Sequence, residues 1–324
     1  GYGSETEIPD RRGRGMSRVL CVILNWRTAE MTARAVQSAI TAMQGIDGAI
    51  TVVDNDSRDG SFEALTAAAR DWPRVRVLQS GRNGGYGAGN NHGIRAGLPD
   101  GSPPDYVYIL NSDAFPAADA IRVLVDYLDA HPEVGFAGSH IHGPEGDPHT
   151  TAFRFPSIAS EFEAAAKTGP VSKLLKHAIV APDLPRVTTR VDWVAGASVL
   201  MRQRMLDQIG LFDETFFLYF EETDLFLRAA RAGWTATYVV ESRVMHIGSV
   251  STGMKDWRRV PGYWFESRRH YFEKNHGRLY AAGATLAHMA GLGLYGLRRL
   301  VQRKPRQTPP YFLRDLVRYS IRSR

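Results

Sequence analysis

The chain has 324 residues, 44% of them hydrophobic and 23% charged, which is the composition of an ordinary globular protein. Its length allows one large α/β domain with an appendage, or two domains. The single cysteine, Cys21, excludes an intrachain disulfide, and the apolar run around it indicates a buried residue in a reducing compartment.

The net charge of +6 is unevenly distributed. Residues 268–324 contain thirteen Lys and Arg against two acidic residues, a net charge of +11, so residues 1–267 sum to −5. A basic tail suits anionic lipid or nucleic acid, and a solvated charged face is the alternative. Residues 1–16 are polar and rich in Gly and Arg, and we expect them to form a disordered leader without a secretory signal.

The first third of the chain alternates apolar runs of strand length with segments of helical period. Strands are predicted over residues 18–26, 49–53 and 75–78, and helices over residues 29–43 and 61–70. This alternation is typical of βαβ units, so it predicts a parallel sheet with right-handed crossovers.

A glycine-rich segment, residues 82–94, follows the third predicted strand and leads into a helix. Glycines before a helix let the backbone approach a ligand closely. The spacing is neither that of the dinucleotide-binding fingerprint nor that of a P-loop, which would end in Gly-Lys-Ser/Thr. Taken alone, the segment is as consistent with a flexible turn as with a phosphate or sugar contact.

Residues 106–110 are β-branched and aromatic and predict a strand buried on both faces, as in a parallel sheet. The strand ends in Asn111-Ser112-Asp113, and Pro116 is expected to prevent its continuation. Alternation puts Asn111 and Asp113 on the same side, at the carboxyl end of the strand, where open α/β sheets bind ligands. Their oxygens could hold a divalent cation against a diphosphate, although an isolated pattern of this kind is more often an Asx turn.

The middle of the chain is less regular. Residues 139–190 lack a strong period and predict a variable excursion over the sheet, with a short helix near residues 159–166. His246 is expected to follow a strand, beside a loop of small residues, and neutral imidazole is a common metal ligand. The other elements predicted here are a helix over residues 117–130, a strand over 134–138, ordered structure over 191–201 and a strand over 237–240.

A helix is predicted over residues 221–232, with three acidic residues in its first turn. Glu221 and Asp224 share a face with Arg228, and the simplest interpretation of that face is that it is merely solvated and ion-paired. Glu222 lies on the apolar face, where an unpaired carboxylate needs a partner, a raised pKa or a chemical role. The preference of acidic residues for helix N-termini explains Glu221 but not Glu222.

The C-terminal part changes character after residue 262. Residues 263–275 predict a helix, and residues 279–297 carry no formal charge but many Gly and Ala, which is marginal for a membrane-spanning helix. Basic residues follow at once, and residues 311–321 predict a last amphipathic helix. Two interpretations stay open: the segment lies on an anionic membrane surface, or it forms a helical hairpin that packs on the rest of the protein or on a second subunit.

Seven segments stand out when the chain is taken as a whole, and they cover roughly residues 18–250: Val22-Ile-Leu-Asn-Trp26, Val52-Val-Asp-Asn-Asp-Ser-Arg-Asp-Gly-Ser61, Arg82-Asn-Gly-Gly-Tyr-Gly-Ala-Gly-Asn-Asn91, Leu110-Asn-Ser-Asp113, Trp193-Val-Ala-Gly-Ala197, Phe212-Asp-Glu-Thr-Phe-Phe-Leu-Tyr-Phe-Glu-Glu-Thr-Asp-Leu225 and His246-Ile-Gly-Ser249. In this order and spacing the chain resembles the family 2 glycosyltransferases, in particular the rhamnosyltransferase-like branch that builds bacterial surface polysaccharides. The resemblance implies the GT-A fold, a Rossmann-like and mostly parallel α/β sheet flanked by helices.

The resemblance also implies which residues bind the sugar-nucleotide donor. Asp54 would read the nucleobase, the loop over residues 84–91 would form a wall of the nucleotide pocket, and contacts around Trp193 would select the sugar. The implied donor-binding residues are Asn25, Asp54, Arg82, Gly85, Asn90, Asn91, Asn111, Ser112, Asp113, Trp193 and Gly196.

Metal binding and catalysis are implied in the same way. Asn111-Ser112-Asp113 occupies the place of the family's Asp-x-Asp motif, with its first acid replaced by Asn, so Asp113 is expected to contact the metal and His246 to complete the site. The family has Glu-Asp where this chain has two Glu residues, and the second of them, Glu222, is expected to be the general base. Glu221 and Asp224 belong to the same predicted catalytic cluster.

The implied activity is a metal-dependent, inverting transfer of a sugar, for example rhamnose, from a nucleotide-diphosphate donor to a hydroxyl of a polysaccharide or lipid-linked acceptor. Mg²⁺ or Mn²⁺ is the expected cofactor. The alternatives are a sugar nucleotidyltransferase, for which the first loop lacks glycines, and a non-catalytic subunit that binds the sugar nucleotide.

The domain prediction is a disordered leader over residues 1–16, a catalytic GT-A domain over residues 17–262 and a basic amphipathic helical tail over residues 263–324. We expect a cytoplasmic protein held peripherally on the inner face of the plasma membrane, with an anionic membrane surface as a partner and with no nucleic acid. A homo-oligomer formed through the C-terminal helices is the other partner considered.

Overall fold

The structure is a computed structural model that describes residues 16–248, 258–303, 305 and 307–321. All but the last residue of the predicted leader over residues 1–16 therefore lies outside the described residues. The strands are β1 Arg18–Asn25, β2 Asp47–Asp54, β3 Val75–Gln79, β4 Tyr106–Asn111, β5 Ala114–Pro116, β6 Val134–His142, β7 Ala152–Phe153, β8 Thr189–Val191, β9 Trp193–Val194, β10 Ser198–Arg202 and β11 Thr235–His246. The helices are α1 Ala29–Ala42, α2 Ser61–Ala69, α3 Tyr86–Arg95, α4 Ala120–Ala130, α5 Ile158–Ala166, α6 Gly169–Leu174, α7 Gln203–Ile209, α8 Glu221–Arg231, α9 Gly262–His276, α10 Arg278–Gln302 and α11 Phe312–Ile321.

One mixed sheet organises the molecule, with the strand order β3-β2-β1-β4-β10-β6-β11-β5. Strands β3, β2, β1 and β4 are parallel, as the alternation of strands and helices predicted. Strand β10 runs antiparallel between β4 and β6, and β6 is parallel to β11. The GT-A prediction of a mostly parallel sheet flanked by helices is confirmed.

Helices cover both faces of this sheet, which is why β1 and β4 read as continuous apolar runs. On one face, buried side chains of α1, α2 and α4 pack on the sheet. On the other face, the sheet packs against α3, α7 and α8. A third apolar cluster around Phe216, Tyr271 and Phe272 joins α8 to α9 and α10.

The chain around Asp113 differs from the prediction in one respect. Pro116 does not end the structure, because residues Ala114–Pro116 form β5. This strand lies at the edge of the sheet, where a proline costs no ladder hydrogen bond on its open side. It pairs antiparallel with the end of β11, so that His246 lies opposite Ala114.

The predicted strand over residues 237–240 is longer than expected. Strand β11 continues to His246, and its pairing with β6 shifts in register between Val239 and Arg243. A shift of this kind interrupts the period of two, which is why the sequence pattern ended the strand early. His246 is consequently the last residue of β11 rather than a residue that follows the strand.

The predicted excursion over residues 139–190 contains more order than its sequence indicated. The helix expected near residues 159–166 is present as α5, and α6 and short strands accompany it. Helix α5 begins with a capping box in which Ser157 and Ser160 exchange hydrogen bonds. Its other side packs along α10, so the C-terminal helices lie against the excursion. The division into domains stays a prediction.

Across the part of the chain that the structure describes, no helix combines the length and the hydropathy that crossing a membrane requires.

Candidate functional site

A cavity of about 750 Å³ lies at the carboxyl ends of β1 and β4. Leu24 and Trp26 line it from the end of β1, and Asn111 with its two neighbours lines it from the end of β4. The predicted site residues that line this cavity are Gly85, Asn111, Ser112, Asp113, Trp193, Glu221 and Glu222. The others do not line it: Asn25, Asp54, Arg82, Asn90, Asn91, Gly196, Asp224 and His246.

Asp113 and His246 are brought together by the pairing of β5 with β11. The imidazole Nε2 of His246 lies 3.0 Å from Oδ1 of Asp113, and the backbone N–H of Gly248 donates to Oδ2 at 3.1 Å. Asp113 is 5% exposed. One carboxylate oxygen and one imidazole nitrogen are thereby placed side by side, although their residues are 133 positions apart in the sequence.

Asn25 and Asp54 form a buried hydrogen-bond network under the cavity floor. The Nδ2 of Asn25 donates to Oδ1 of Asp54 at 2.7 Å, and the hydroxyl of Ser57 donates to the same oxygen at 2.6 Å. The other oxygen, Oδ2, accepts from the backbone of Ser57 and from Gln79. Both oxygens of Asp54 are thus used inside the protein, whereas the next residue, Asn55, lines the cavity.

The glycine-rich segment is held against the loop that precedes α8. The backbone N–H of Tyr86 donates to the carbonyl of Phe217 at 3.0 Å. Gly85 has a φ of +91°, and a Cβ there would overlap that same carbonyl, so only glycine permits this approach. The segment therefore serves as a cavity wall at Gly85 and as a tie between two loops at Tyr86.

Asn83 of the same segment lines the cavity, whereas Arg82, Asn90 and Asn91 do not. The amide of Asn91 binds the backbone N–H and carbonyl of Phe212, at 3.1 and 2.9 Å. Asn90 donates to the carbonyl of Tyr86, and its Oδ1 accepts no hydrogen bond from the described residues. Arg82 is exposed and forms an ion pair with Glu214 at 3.3 Å. These contacts fix the position of α3 relative to the loop that leads to α8.

Glu222 is anchored at the cavity by a backbone donor. Its Oε1 accepts from the N–H of Gly196 at 2.7 Å, and the carbonyl of Gly196 accepts from the hydroxyl of Tyr86 at 2.9 Å. A Cβ on Gly196 would overlap the carboxylate of Glu222, so glycine is required for this contact. Burial raises the pKa of Glu222 to about 7.

Glu221 is the more deeply buried member of the pair, at 2% exposure. Its Oε2 has no hydrogen-bond partner among the described residues. Burial, with the charge of Glu222 as a second cause, raises its pKa well above the usual range. The chain enters α8 through two non-glycine residues in the left-handed region, Tyr219 with a φ of +70° and Phe220 with a φ of +67°. That turn positions both carboxylates at the cavity.

The face that Glu221, Asp224 and Arg228 share is ion-paired between Asp224 and Arg228, but it is not solvated. Asp224 is fully buried, and its carboxylate accepts from Arg228 at 2.9 Å, from Lys274 at 2.8 Å and from Asn275 at 2.9 Å. The reason is that α9 covers this face, which the pattern of α8 alone does not reveal. Asp224 does not line the cavity and ties α8 to α9.

Trp193 lines the cavity, and its ring is held by one hydrogen bond and one stacking contact. Its indole N–H donates to the carbonyl of Arg154 at 2.9 Å, and its ring stacks on Phe153 with centroids 4.3 Å apart. Strands β7 and β9, which carry these residues, form a small separate sheet. A rigid aromatic face is thereby presented to the cavity.

The sequence did not predict the residues that form the other half of the cavity wall. It comes from residues distant from the recognised motifs, namely Pro156, Ser160, Glu161, Ala164, Val180, Tyr263 and Trp264. Helix packing alone brings α5 and α9 to the site, so no local sequence signal was available. Asn55, Asn83 and Tyr86, by contrast, lie inside or beside quoted motifs and could have been chosen.

The comparisons with known proteins agree on one family. The sequence model of the family described as "Glycosyltransferase like family 2" matches residues 17–260. N-acetylglucosaminyl-diphospho-decaprenol L-rhamnosyltransferase of Mycobacterium tuberculosis is 32% identical over 226 residues, which cover 63% of this chain and 68% of that protein. Rhamnosyltransferase WbbL of Escherichia coli is 28% identical over 169 residues, which cover 50% of this chain and 61% of that protein.

Comparison with a solved structure supports the assignment of the fold. The mannosyltransferase PcManGT of Pyrobaculum calidifontis, in complex with GDP-Man and Mn²⁺, superposes with a TM-score of 0.54 at 15% sequence identity, covering 95% of this chain and 86% of that one. At this identity the likeness concerns the fold alone. Taken with the family match over three quarters of its length and with its rhamnosyltransferase relatives, the chain belongs to the family 2 glycosyltransferases and is a sugar-transferring enzyme of the GT-A fold.

Proposed function

We propose that the enzyme transfers a sugar, rhamnose in the first instance, from a nucleotide-diphosphate donor to a hydroxyl of a lipid-linked glycan, with inversion at the anomeric carbon. The observation that carries this proposal is one cavity with Asp113 in one part of its wall and Glu222, with a pKa of about 7, in another. The M. tuberculosis relative, whose name states both rhamnose and a lipid-linked acceptor, supports the choice of substrates.

The donor end of the cavity is polar but uncharged except for Asp113. Asn55, Asn83 and Asn111 offer amide donors and acceptors to a nucleotide, and Trp193 offers a ring face to the sugar. The buried network of Asn25 and Asp54 keeps the Asn55 loop in place, so we assign these two residues to positioning the pocket.

A divalent cation fits the residues at Asp113. Among the described residues no three His, Cys, Asp or Glu side chains converge on one point, so this chain offers the pair of Asp113 and His246. Magnesium in phosphate-handling sites is often bound by only one or two protein carboxylates together with substrate phosphates, and neutral imidazole is a common metal ligand. A bound cation would stabilise the negative charge that develops on the leaving diphosphate. The Mn²⁺ in the structure of PcManGT supports this assignment.

The acceptor hydroxyl must lose its proton as its oxygen attacks the anomeric carbon. Glu222 suits this step because Gly196 holds its Oε1 and leaves Oε2 available to accept the proton. Burial and the charge of Glu222 both raise the pKa of Glu221, which favours the neutral form of this second carboxyl. Attack from the face opposite the diphosphate in a single displacement gives inversion.

Two alternatives from the sequence can be compared with this proposal. Family membership and the curated relatives concern glycosyltransferases, so they give no support to a sugar nucleotidyltransferase. A non-catalytic binding subunit would not need a carboxylate with a raised pKa at the cavity, and Glu222 provides one.

Transfer can be tested with dTDP-rhamnose and with UDP- and GDP-hexoses, Mg²⁺ or Mn²⁺, and N-acetylglucosaminyl diphosphate carrying a short prenyl chain. We expect nucleotide release that depends on this acceptor, and a product whose anomeric configuration, measured by NMR, is opposite to that of the donor. Retained configuration would exclude the single displacement. Failure of every donor to give product would contradict the proposed activity.

We further propose that α10 attaches the enzyme to an anionic bilayer, at the inner face of the plasma membrane. One stripe of this helix is exposed and apolar: Leu279, Leu286, Leu294, Leu297, Leu300 and Val301. At 100° per residue these six positions span about 120°. The opposite side of the helix, with Ala284, Gly291 and Tyr295, is buried against the protein. Nine of the thirteen large exposed apolar residues in the described chain lie between residues 279 and 321, where the basic residues also concentrate.

Replacing Leu297 and Leu300 with Gln in one variant is expected to lower binding to phosphatidylglycerol-containing vesicles at least tenfold, because each buried leucine contributes about 1.5–3 kcal/mol. Leu174→Gln with Val187→Gln is the matched control, since both residues are at least as exposed as Leu297 and Leu300 but lie outside the stripe. Co-sedimentation at low and high salt measures the effect, and salt should weaken the wild-type binding. The stripe would instead be an oligomer interface if the wild type does not bind the vesicles and the double leucine variant loses self-association.

A further inference from the structure

The half of the cavity formed by α5 and α9 contains a charged group that the proposed reaction has not used. Glu161 lines the cavity from α5, between the lining residues Ser160 and Ala164. Trp264 lines it from α9, and Phe220 lines it from the turn before α8. Asp113 is bound to His246 and Gly248, whereas Glu161 is bound to Arg268 and Phe220 packs on Trp264, so these three residues belong to a different part of the wall from the cation end.

Glu161 is held in place through one of its two oxygens. Its Oε2 accepts from Nε and Nη2 of Arg268, at 3.1 and 2.7 Å, and from Nδ1 of His288 at 2.8 Å. Arg268 is 2% exposed, and its Nη1 donates to the hydroxyl of Thr285. Three helices, α5, α9 and α10, therefore fix this carboxylate in one orientation.

The second oxygen of Glu161, Oε1, accepts no hydrogen bond from any described residue. The carboxyl is ionised, because burial would raise its pKa but the charge of Arg268 and the hydrogen bond from His288 together lower it. An ionised carboxylate only accepts hydrogen bonds, so its ligand must be a donor. A phosphate would be repelled, whereas a hydroxyl or an amide N–H would bind with the added strength of a charged acceptor.

The residues around Glu161 favour a ligand that donates through hydroxyl groups. Trp264 and Phe220 have ring centroids 5.8 Å apart and give this end of the cavity an aromatic wall. Sugar rings present an apolar C–H face that packs on aromatic side chains and a rim of hydroxyls that donates hydrogen bonds. A carboxylate oxygen beside aromatic faces is therefore suited to a pyranose ring with its hydroxyls.

We propose that Glu161 binds the hydroxyls of the acceptor sugar through Oε1, and that Arg268 and His288 are positioning residues that orient it. This inference rests on the proposed function, because it assigns the acceptor to the half of the cavity opposite the cation end. It also gives the excursion over residues 139–190 a specific role, because α5 within it supplies the acceptor contact. Acceptor specificity then depends on the packing of α10 against α5 through the contact from His288.

Binding of N-acetylglucosaminyl diphosphate with a short prenyl chain, measured by calorimetry in the presence of the nucleoside diphosphate, tests this directly. Glu161→Gln should weaken acceptor binding about tenfold to a hundredfold, since a hydrogen bond to a charged group is lost at Oε1. Nucleotide binding should stay within twofold of the wild type. Glu163→Gln is the matched control, because Glu163 lies on the same helix, binds Ser172 and does not line the cavity.

A second measurement does not depend on how the variant folds. Acceptor analogues that lack one hydroxyl each are titrated into the wild-type enzyme and into Glu161→Gln. For one deoxy analogue, the affinity for the wild type should be as low as the affinity of the intact acceptor for Glu161→Gln. The same analogue should bind Glu161→Gln no more weakly than it binds the wild type, because the hydrogen bond in question is already missing. The proposal would be overturned if the wild type and Glu161→Gln bound the acceptor equally, or if the wild type did not bind it at all. It would also be overturned if the losses in acceptor affinity from Glu161→Gln and from each missing hydroxyl were fully additive. Because no turnover is needed, these outcomes are separate from a failure of sugar transfer.

Discussion

Glu222→Gln is expected to lower kcat by on the order of 10²–10⁴ and to leave donor binding unchanged within about twofold. Glutamine keeps the size of the side chain and can still accept the hydrogen bond from Gly196, but it cannot take a proton from the acceptor. The measurement is steady-state transfer at saturating donor and acceptor, with donor affinity determined separately by calorimetry. The combination of a large loss in kcat with intact binding identifies a chemical role.

Two neighbouring acids provide the controls for this result. Glu221→Gln should cost less activity, because burial and the charge of Glu222 favour a neutral carboxyl at Glu221, and glutamine is neutral as well. Asp224→Asn should act mainly on stability, since it weakens the fully buried acceptor for Lys274 and Arg228. If Glu222→Gln transfers sugar at nearly the wild-type rate while Glu221→Gln or Asp224→Asn is inactive at full stability, the base has been assigned to the wrong carboxylate.

Asp113→Ala is expected to reduce the cation-dependent part of nucleotide binding by at least about a hundredfold, and His246→Ala to reduce it by a smaller factor. Asp113 supplies the only carboxylate of the pair, whereas the imidazole is neutral as a ligand and contributes no opposing charge. Calorimetric titration of the nucleoside diphosphate with and without Mn²⁺ measures the dependence.

The matched control for the cation site is Asp207→Ala, because Asp207 is an exposed acid that contacts only Gln203 among the described residues. This variant should bind nucleotide and Mn²⁺ as the wild type does. Unchanged Mn²⁺-dependent binding in both Asp113→Ala and His246→Ala would refute the assignment of the cation to this pair.

The parallel half of the fold could be predicted from sequence because its strands alternate with helices of clear period. Strands β1, β2 and β3 follow one another through single helices, and period and length were enough to place them. The antiparallel half could not be predicted in the same way. Strand β10 inserts between β4 and β6 through a pairing of Ser198 with Leu110, and no local pattern contains such a partner.

The site shows the same division between local and long-range information. Asn111 and Asp113 were predicted to lie at the end of a strand, because alternation and strand ends are local properties. The contact between Asp113 and His246 depends on the register of β5 with β11. The local sequence pattern does not predict this register, and only the resemblance to a family indicated that the two residues share a site. Asp224 was misplaced, and Glu161 was missed, because both depend on how α9 and α10 pack on the body of the protein.

The pH dependence of kcat/KM for the acceptor tests the central claim most directly, because it reports the protonation of the base in the free enzyme. Glu222 must be ionised to accept a proton, and burial raises its pKa to about 7, so activity is low at acidic pH and present above neutrality. We predict that kcat/KM of the wild type rises with a midpoint near pH 7, and that Glu222→Gln loses this rise. A wild-type kcat/KM that is flat between pH 5.5 and 8.5, or a Glu222→Gln variant that keeps the same inflection, would contradict the account.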